Sequence, residues 1–399
     1  MKSLKEFFKI GKGPSSSHTM GPHKAANIFA ERNRNAARFE VTLYGSLAAT
    51  GKGHMTDVAI SEVLEAIAPL SIVWKPSIFL PYHPNAMKFV ACYHDGHSDE
   101  WTVYSVGGGA LSEGITELQK ENDDIYPLNT LTEIMEWCNH NGRAYWEYVN
   151  EWEDPDIWDY LMKVWMAMKE SVERGLDNEG VLPGPLNLPR KAATYYVKAS
   201  GYKASLQSRA LVYAYALAVS EENAAGGTIV TAPTCGSSGV LPGVLYHLSK
   251  GHQFSDTRIL HALATAGLFG NIVKQNASIS GADVGCQGEV GVACAMASAA
   301  ACQLFGGSPA QIEYAAEMGL EHHLGMTCDP MCGLVQIPCI ERNAFAATRA
   351  LDSNLYAAFS DGKHRVSFDQ VVRVMKKTGH DLPSLYKETA EGGLALEVK

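Results

Sequence analysis

Three cysteines in the second half of the chain stand in polar segments rich in glycine and proline. Cys286 lies in residues 280–289, while Cys328 and Cys339 lie in residues 326–339. Three thiolates from separate loops can hold an iron–sulfur cluster at three of its corners. The fourth corner would be left to a substrate, which is the arrangement of an enzyme rather than of an electron carrier.

The spacing of these cysteines leaves other interpretations open, because it is not the compact run typical of a ferredoxin. Some of them could be small buried thiols, as we expect for Cys294 and Cys302 inside an apolar helical stretch. A zinc site is a further alternative by ligand type. Its ligands would be Cys328, Cys332 and either His322 or His323.

Two polar segments near the start of the chain have the residue types of a substrate site. The first is a hydroxyl-rich run before a helix, which suits capture of a carboxylate or phosphate, although an ordinary N-cap loop has the same composition. Its residues are Ser15, Ser16, Ser17, His18 and Thr19. In the second segment Asp57 follows His54 by three residues, so the carboxylate can orient the imidazole as a general base. A surface turn explains that spacing equally well.

A third polar segment leads into the Cys286 loop and contains Asn271 and Lys274. It predicts a wall of the site, although Lys274 could also belong to a solvated helix face. The same lysine supports a competing hypothesis, in which it forms a Schiff base with pyridoxal phosphate and residues 231–239 cradle the phosphate. That chemistry expects a mixed α/β cofactor domain.

Composition indicates a soluble globular protein of about two domains, with 399 residues of which 46% are hydrophobic and 19% charged. The net charge of −10 gives no indication of a basic surface that would bind nucleic acid or an anionic membrane. The start of the chain lacks the features of a signal peptide, so we expect a cytoplasmic protein. Residues 290–312 carry no charge, yet their Ala, Gly and Ser content favours a buried helix over a membrane span.

Periodicity divides the chain into two regions of different structure. The first mixes a helix at residues 25–37 with strands at 39–44, 71–80, 89–93 and 100–106. The second reads almost entirely as helices separated by Gly/Pro/Ser/Thr loops. We therefore predict a small α+β N-terminal domain, residues 1–150, followed by a larger all-α helical domain, residues 151–399.

Long segments in both regions closely resemble the iron–sulfur L-serine dehydratases. The run GPSSSHTMGP and two later segments resemble the β portion of that family, and five segments around the cysteines resemble its α portion. In order, these segments are residues 13–22, 43–57, 104–109, 179–186, 222–227, 276–294, 327–330 and 336–343. The matches keep the family's order along nearly the whole chain.

The resemblance implies that the chain dehydrates and deaminates L-serine to pyruvate and ammonia, and that it forms a homodimer. It implies that Cys286, Cys328 and Cys339 hold a [4Fe–4S] cluster that acts as a Lewis acid, and that His54, oriented by Asp57, is the base. The expected substrate-binding residues are Ser15, Ser16, Ser17, His18, Thr19, Asn271 and Lys274, with residues 234–238 completing the pocket. Selectivity between L-serine and L-threonine is not readable from the sequence.

The chain departs from the family pattern in two places. It is shorter between Asp57 and His83 than longer members of the family. Some members also end in a cysteine that serves as a removable ligand of the cluster, whereas this chain has no cysteine after Cys339. We therefore expect water or another small ligand on the fourth iron, and a corner that is more accessible to substrate and oxygen.

Overall fold

The computed structural model describes residues 1–114 and 124–397, which form two hydrophobic cores. The smaller core draws on residues 25–103 and the larger one mainly on the helical remainder of the chain. A small sheet-containing N-terminal region followed by a larger helical region confirms the predicted fold class. Residues 1–8 and 126–149 also contribute to the larger core. The boundary at residue 150 stays a prediction, and residues 115–123 and 398–399 of the two predicted domains lie outside the described residues.

The N-terminal region is built on a five-stranded sheet with strand order β3-β2-β4-β5-β6. Strands β2 and β3 are parallel, and the other neighbours are antiparallel. The strands are β2 (Arg38–Tyr44), β3 (Leu70–Lys75), β4 (Ala86–Cys92), β5 (Ser98–Ser105) and β6 (Leu111–Ser112). Helices α1 (Gly21–Arg32) and α3 (Thr56–Leu64) supply apolar side chains to the core of this region, and α2 (Gly45–Ala49) follows β2 directly.

The larger region consists of helices of very different length joined by polar loops. They are α4 (Leu131–Asn141), α5 (Tyr145–Trp152), α6 (Ile157–Asp177), α7 (Ala192–Ala199), α8 (Ala204–Ala224), α9 (Val240–His252), α10 (Asp256–Asn276), α11 (Gly281–Val284), α12 (Val290–Leu304), α13 (Pro309–Glu321), α14 (Cys339–Ala358) and α15 (Phe368–Asp381). The prediction that this region consists almost entirely of helices separated by loops is confirmed.

Helix α12 lies at the centre of the larger region and packs against α9, α10, α13 and α14. Nearly all of its side chains are small and buried, so its neighbours approach closely. At Gly319 of α13, an added Cβ would lie 3.1 Å from the Cα of Ala295. The prediction of a buried helix in this uncharged stretch is confirmed, and within the described part of the chain we find no helix long and apolar enough to span a membrane.

Two extended segments tie the N-terminal region to the helical one. Strand β1 (Ile10–Lys12) pairs antiparallel with β7 (Thr228–Val230). Just beyond β1, the Asn223 side chain donates a 2.9 Å hydrogen bond to the carbonyl of Pro14. The hydroxyl-rich segment that follows is thereby held against the helical region.

The C-terminal segment after α15 returns to the loop that carries Cys328. The N–H of Cys328 donates to the carbonyl of Tyr386, and the N–H of Glu388 donates to the carbonyl of Cys328, both at 2.8 Å. Further on, the N–H of Leu394 donates to a carboxylate oxygen of Asp329 at 2.9 Å. The segment therefore runs beside one of the three special cysteines.

Candidate active site

The three cysteines of the predicted cluster converge from three loops at the ends of helices. Cys286 opens a single helical turn before α12, Cys339 is the first residue of α14, and Cys328 lies in the loop between α13 and α14. All three are free thiols. Burial raises the pKa of Cys328 well above its ordinary value, and negative charges on Cys286 and Cys339 raise it further. The three thiols therefore lie near one another.

Arg342 supplies positive charge beside these thiols. It lies one turn after Cys339 and donates to the carbonyl of Thr327 at 2.7 Å and to Asp329 at 3.2 Å. Burial opposes its charge, but the neighbouring thiols of Cys286 and Cys339 raise its pKa, so it stays protonated. Burial raises the pKa of the Cys286 thiol to about 11, while Arg342 lowers it in part. A buried cation at this point favours thiolates, the form that binds metal.

The spacing of the sulfurs distinguishes a site for a cluster from a site for a single metal ion. Among the described residues, His18, His54 and Glu388 form a group whose possible metal-binding atoms all lie within 4.8 Å of one another. The three cysteines do not form such a group. Ligands of a single tetrahedral zinc lie closer together than that. Sulfurs that bind different irons of one cluster lie further apart, so the three cysteines suit a cluster better than a mononuclear site.

The alternative zinc ligands are not brought together. Cys332 is exposed. His322 is bound through its Nδ1 to the carbonyl of Met318, and His323 through its Nδ1 to that of Gly319. These histidines stabilise the end of helix α13.

Two buried histidines, His18 and His54, form the second part of the site, with ring centroids 4.6 Å apart. Neither ring is exposed to solvent. Burial lowers the pKa of His18 to about 4 and that of His54 well below its ordinary value, so both are neutral at pH 7. His54 Nε2 is buried and has no hydrogen-bond partner among the described residues. A neutral imidazole with a free ring nitrogen can accept a proton.

The hydroxyl-rich segment holds His18 in place. Residues Ser16–Met20 form one wide helical turn, which Ser15 caps by accepting a hydrogen bond from the N–H of His18 at 3.1 Å. The Ser17 hydroxyl lies 2.9 Å from His18 Nδ1. The hydroxyl of Thr19 donates to the carbonyl of His54 at 2.6 Å, joining the two histidine segments.

The structure brings Thr50, rather than Asp57, to the ring of His54. The Thr50 hydroxyl lies 3.3 Å from His54 Nδ1. Asp57 is in the first turn of α3 and is partly exposed, and none of its hydrogen bonds within the described chain reaches His54. Residues 50–54 form a turn that brings the Thr50 hydroxyl to the ring nitrogen, while Asp57 belongs to the helix that begins after it.

Two buried carboxylates lie between the cysteines and the histidines. Glu289 accepts a 2.7 Å hydrogen bond from Thr234, and its other oxygen lies 3.9 Å from Cys328 Sγ. Glu388 lies 3.7 Å from His18 Nδ1, and its charge raises the pKa of Cys328. Burial raises the pKa of both carboxylates, and at Glu388 the charge of Glu289 adds to this effect.

The remaining predicted pocket residues divide into two groups. The loop at residues 234–238 is part of the site, because Thr234 binds Glu289. Asn271 and Lys274 instead face the N-terminal segment: Asn271 donates to the carbonyl of Lys2 at 2.7 Å, and Lys274 to that of Glu6 at 3.4 Å. The structure does not join these two side chains to the cysteines or the histidines.

Four residues of the site were not assigned a role from the sequence: Thr50, Glu289, Arg342 and Glu388. The first three lie within segments that resemble the serine dehydratases, but residue type alone gave no reason to choose them. Arg342 follows Cys339 by three residues, a spacing that places both at one end of a helix. Glu388 lies in a segment without periodicity and reaches the site only through tertiary contacts.

Comparison with known proteins identifies the family of the chain. The family model of the serine dehydratase alpha chain matches residues 86–395, and that of the beta chain matches residues 3–75. An L-serine dehydratase of Streptomyces coelicolor is 41% identical over 452 aligned positions, which cover 99% of each chain. L-serine dehydratase TdcG of Escherichia coli is 40% identical, over 100% of this chain and 99% of its own. The L-serine dehydratase of Helicobacter pylori is 36% identical, with the same coverage.

Free cysteines, buried histidines and buried carboxylates lie together in this two-part fold, and side chains of these types are those that enzyme active centres use. The chain belongs to the serine dehydratase family, with the beta-chain and alpha-chain portions in one polypeptide. The aligned positions outnumber its 399 residues, so these relatives contain segments that this chain lacks.

Proposed function

We propose that this protein is an L-serine ammonia-lyase, which converts L-serine to pyruvate and ammonia with a [4Fe–4S] cluster held by Cys286, Cys328 and Cys339. The observation that carries the proposal is the convergence of three free thiols beside the buried pair His18 and His54. Members of its family at about 40% identity are named L-serine dehydratases.

The protein residues around the thiols fit such a cluster. Their sulfurs are too far apart for one ion, and two of the three belong to residues that are almost fully buried. Arg342 offsets part of the negative charge that three thiolates bring. When bound, the cluster supplies a Lewis-acidic iron with an open position for the substrate hydroxyl.

His54 takes the Cα proton in this proposal. Its Nε2 has no partner in the described parts of the chain, and its lowered pKa keeps it neutral, which is the form that accepts a proton. Thr50 fixes the ring through Nδ1. After loss of the proton and the hydroxyl group, the enamine product tautomerises to an imine, which water hydrolyses to pyruvate and ammonia.

The hydroxyl-rich turn binds the substrate carboxylate in this proposal. Ser15, Ser16 and Ser17 lie at the start of a helical turn, where hydroxyl and N–H groups are suited to an anion. His18 and Thr19 hold the turn against the His54 segment. Asn271 and Lys274 both bind the backbone of residues 2–6, so they would affect this pocket only indirectly, through the N-terminal segment.

The pyridoxal-phosphate alternative receives less support. Lys274 hydrogen-bonds the carbonyl of Glu6, and within the loop proposed as phosphate cradle Thr234 binds the carboxylate of Glu289. A carboxylate at that position repels a phosphate. A band at roughly 410–430 nm that borohydride bleaches would favour this alternative.

Two further expectations belong to the proposal: a cytoplasmic location, expected from the N-terminal segment, and a homodimer, implied by the family resemblance. Phe345 in α14 and Phe359 directly after it are 69% and 85% exposed, and such apolar side chains suit an interface between copies. Sedimentation of the purified protein tests the dimer.

Anaerobic purification, with counts of iron and acid-labile sulfide and a pyruvate assay on L-serine, tests the main proposal. We expect about four irons and four sulfides per chain together with pyruvate formation. Zinc without sulfide would contradict the cluster, and a loaded cluster without pyruvate formation would contradict the reaction.

The ligand assignment has a matched pair of variants. Cys328→Ala should abolish both iron content and activity, because it removes one of three protein ligands. Cys302→Ala changes a buried thiol inside α12, where Gly307 packs against its sulfur, and it should leave the iron content nearly unchanged. Equal loss of iron in both variants would remove Cys328 from the ligand set.

A further inference from the structure

A bound serine has three polar groups, and the assignments above provide for only two of them. Its hydroxyl goes to the open iron position and its carboxylate to the hydroxyl-rich turn. The α-ammonium group needs an acceptor inside a site that excludes water, because an unpaired buried cation is costly. Glu289 and Glu388 are the buried carboxylates that the structure brings to this site.

We propose that Glu388, which the C-terminal segment inserts between the histidines and the cysteine loops, binds the α-ammonium group of the substrate. The assignment rests on the proposed function. It adds the protein group that would select hydroxy amino acids over hydroxy acids that lack an amino group. Three features of Glu388 support it: its fixed backbone, its unused acceptor capacity and its position beside His54.

The backbone of Glu388 is held from both sides of the site. Its N–H donates to the carbonyl of Cys328 at 2.8 Å, and its own carbonyl accepts from the Ser46 hydroxyl at 3.3 Å. The same hydroxyl lies 3.3 Å from His18 Nε2. Glu388 also adopts a left-handed conformation with φ of 59°, which a non-glycine residue rarely takes. Backbone strain of this kind persists where surrounding contacts impose it, and such positions are common at functional sites.

The carboxylate of Glu388 has acceptor positions left to fill. Besides a backbone N–H of Ala282, its nearest polar partner is His18 Nδ1 at 3.7 Å, which is beyond an ordinary hydrogen bond. Glu289, by contrast, already accepts from Thr234 and lies near Arg342. Within the described chain no lysine or arginine forms an ion pair with Glu388. An ammonium group has three donors and a positive charge, so it supplies what this carboxylate lacks.

The position of Glu388 also suits the chemistry. Ligand atoms of His18, His54 and Glu388 all lie within 4.8 Å of one another. The α-carbon of the substrate is one bond from its nitrogen, so a nitrogen held by Glu388 brings the Cα proton next to His54. The unpartnered Nε2 of His54 is then the nearest base.

The test compares two ligands that differ only in the ammonium group, L-alanine and propionate, as competitive inhibitors of pyruvate formation. In the wild-type enzyme L-alanine should bind more tightly than propionate. In Glu388→Gln, which keeps the shape but removes the charge, this preference should fall by about 10- to 100-fold, the value of a hydrogen bond to a charged group. The Kd for propionate should change little.

Two variants complete the test. Glu391→Gln, an exposed glutamate of the same segment, should keep the preference for L-alanine. Glu388→Asp keeps the charge on a shorter side chain and should restore part of the preference. Iron and sulfide content, measured for each variant, shows whether the Cys328 loop remains intact.

The outcomes separate this inference from the proposed function. A wild-type protein without cluster or pyruvate formation would overturn the proposed function itself. An active, cluster-loaded Glu388→Gln enzyme with equal weakening of L-alanine and propionate would overturn only the ammonium assignment. Stoichiometric Zn²⁺ binding that Glu388→Gln abolishes would also overturn it, because the carboxylate would then join the two histidines as a metal ligand.

Discussion

Arg342 donates a 2.7 Å hydrogen bond to the carbonyl oxygen of Thr327, the residue directly before Cys328. Because Cys339 lies one turn before Arg342, this bond joins two of the three cysteine loops. The third loop is close as well, since the charge of Arg342 lowers the pKa of the Cys286 thiol in part. One side chain therefore acts on all three cysteine loops.

The variant Arg342→Met should lose both stability and cluster. It leaves Asp329, whose side chain is 5% exposed, as a buried carboxylate without its partner, which costs about 3 kcal/mol or more. Urea denaturation and iron counting measure the two effects. Arg209→Met breaks an exposed pair with Asp352 and should cost less than about 1 kcal/mol with no loss of iron. Similar losses in both variants would contradict the organising role of Arg342.

His54→Ala should retain the cluster and lose turnover by at least about 100-fold, the usual contribution of a general base. Thr50→Val removes the hydroxyl that fixes the ring, and we expect a smaller loss of kcat. Asp57→Asn tests the orienting role predicted from the sequence, and the structure leads us to expect a smaller effect than for Thr50→Val. Steady-state kinetics on protein with verified iron content measures all three. Normal activity of His54→Ala would remove it as the base.

The sequence was a good guide to the elements and to the residues that lie near them in the chain. The alternation of strand β2 and the helical spacing from α6 to α14 reflect local burial, which periodicity reports directly. The hydroxyl-rich turn and the three cysteine loops were recognisable because polar residues and glycines cluster between such elements. Each of these signals depends on neighbours within a few residues.

The parts that the sequence did not reveal depend on contacts between distant segments. Glu388 reaches His18 across 370 positions of the chain, and nothing in its local sequence marks it. Asn271 and Lys274 were expected in the pocket because they precede the Cys286 loop. They turn away from it because the helix α10 presents that face to the N-terminal segment. Proximity in sequence was a poor guide to the direction of a helix face.

The C-terminal segment is relevant to the expectation that the fourth iron of the cluster has no protein ligand and is accessible. The absence of a cysteine after Cys339 predicted a corner more accessible to substrate and oxygen. The segment nevertheless pairs with Cys328 and brings the carboxylate of Glu388 into the site. We therefore expect this segment, as well as its lack of a sulfur ligand, to affect access to that corner, and the resting ligand of the fourth iron stays a prediction.

The pH dependence of kcat/KM should show an acid limb well below pH 6.5. Burial lowers the pKa of His54 far from its ordinary value, and the charge of His18 acts in the same direction. A histidine with a lowered pKa remains neutral, and therefore remains a base, as the pH falls through 6.5; activity is lost only near its own lower pKa. Rates measured from pH 5 to 8, with iron content checked at each pH, test this expectation. A half-maximal rate near pH 6.5 with the cluster intact would instead indicate a solvated base, since about 6.5 is the ordinary pKa of histidine.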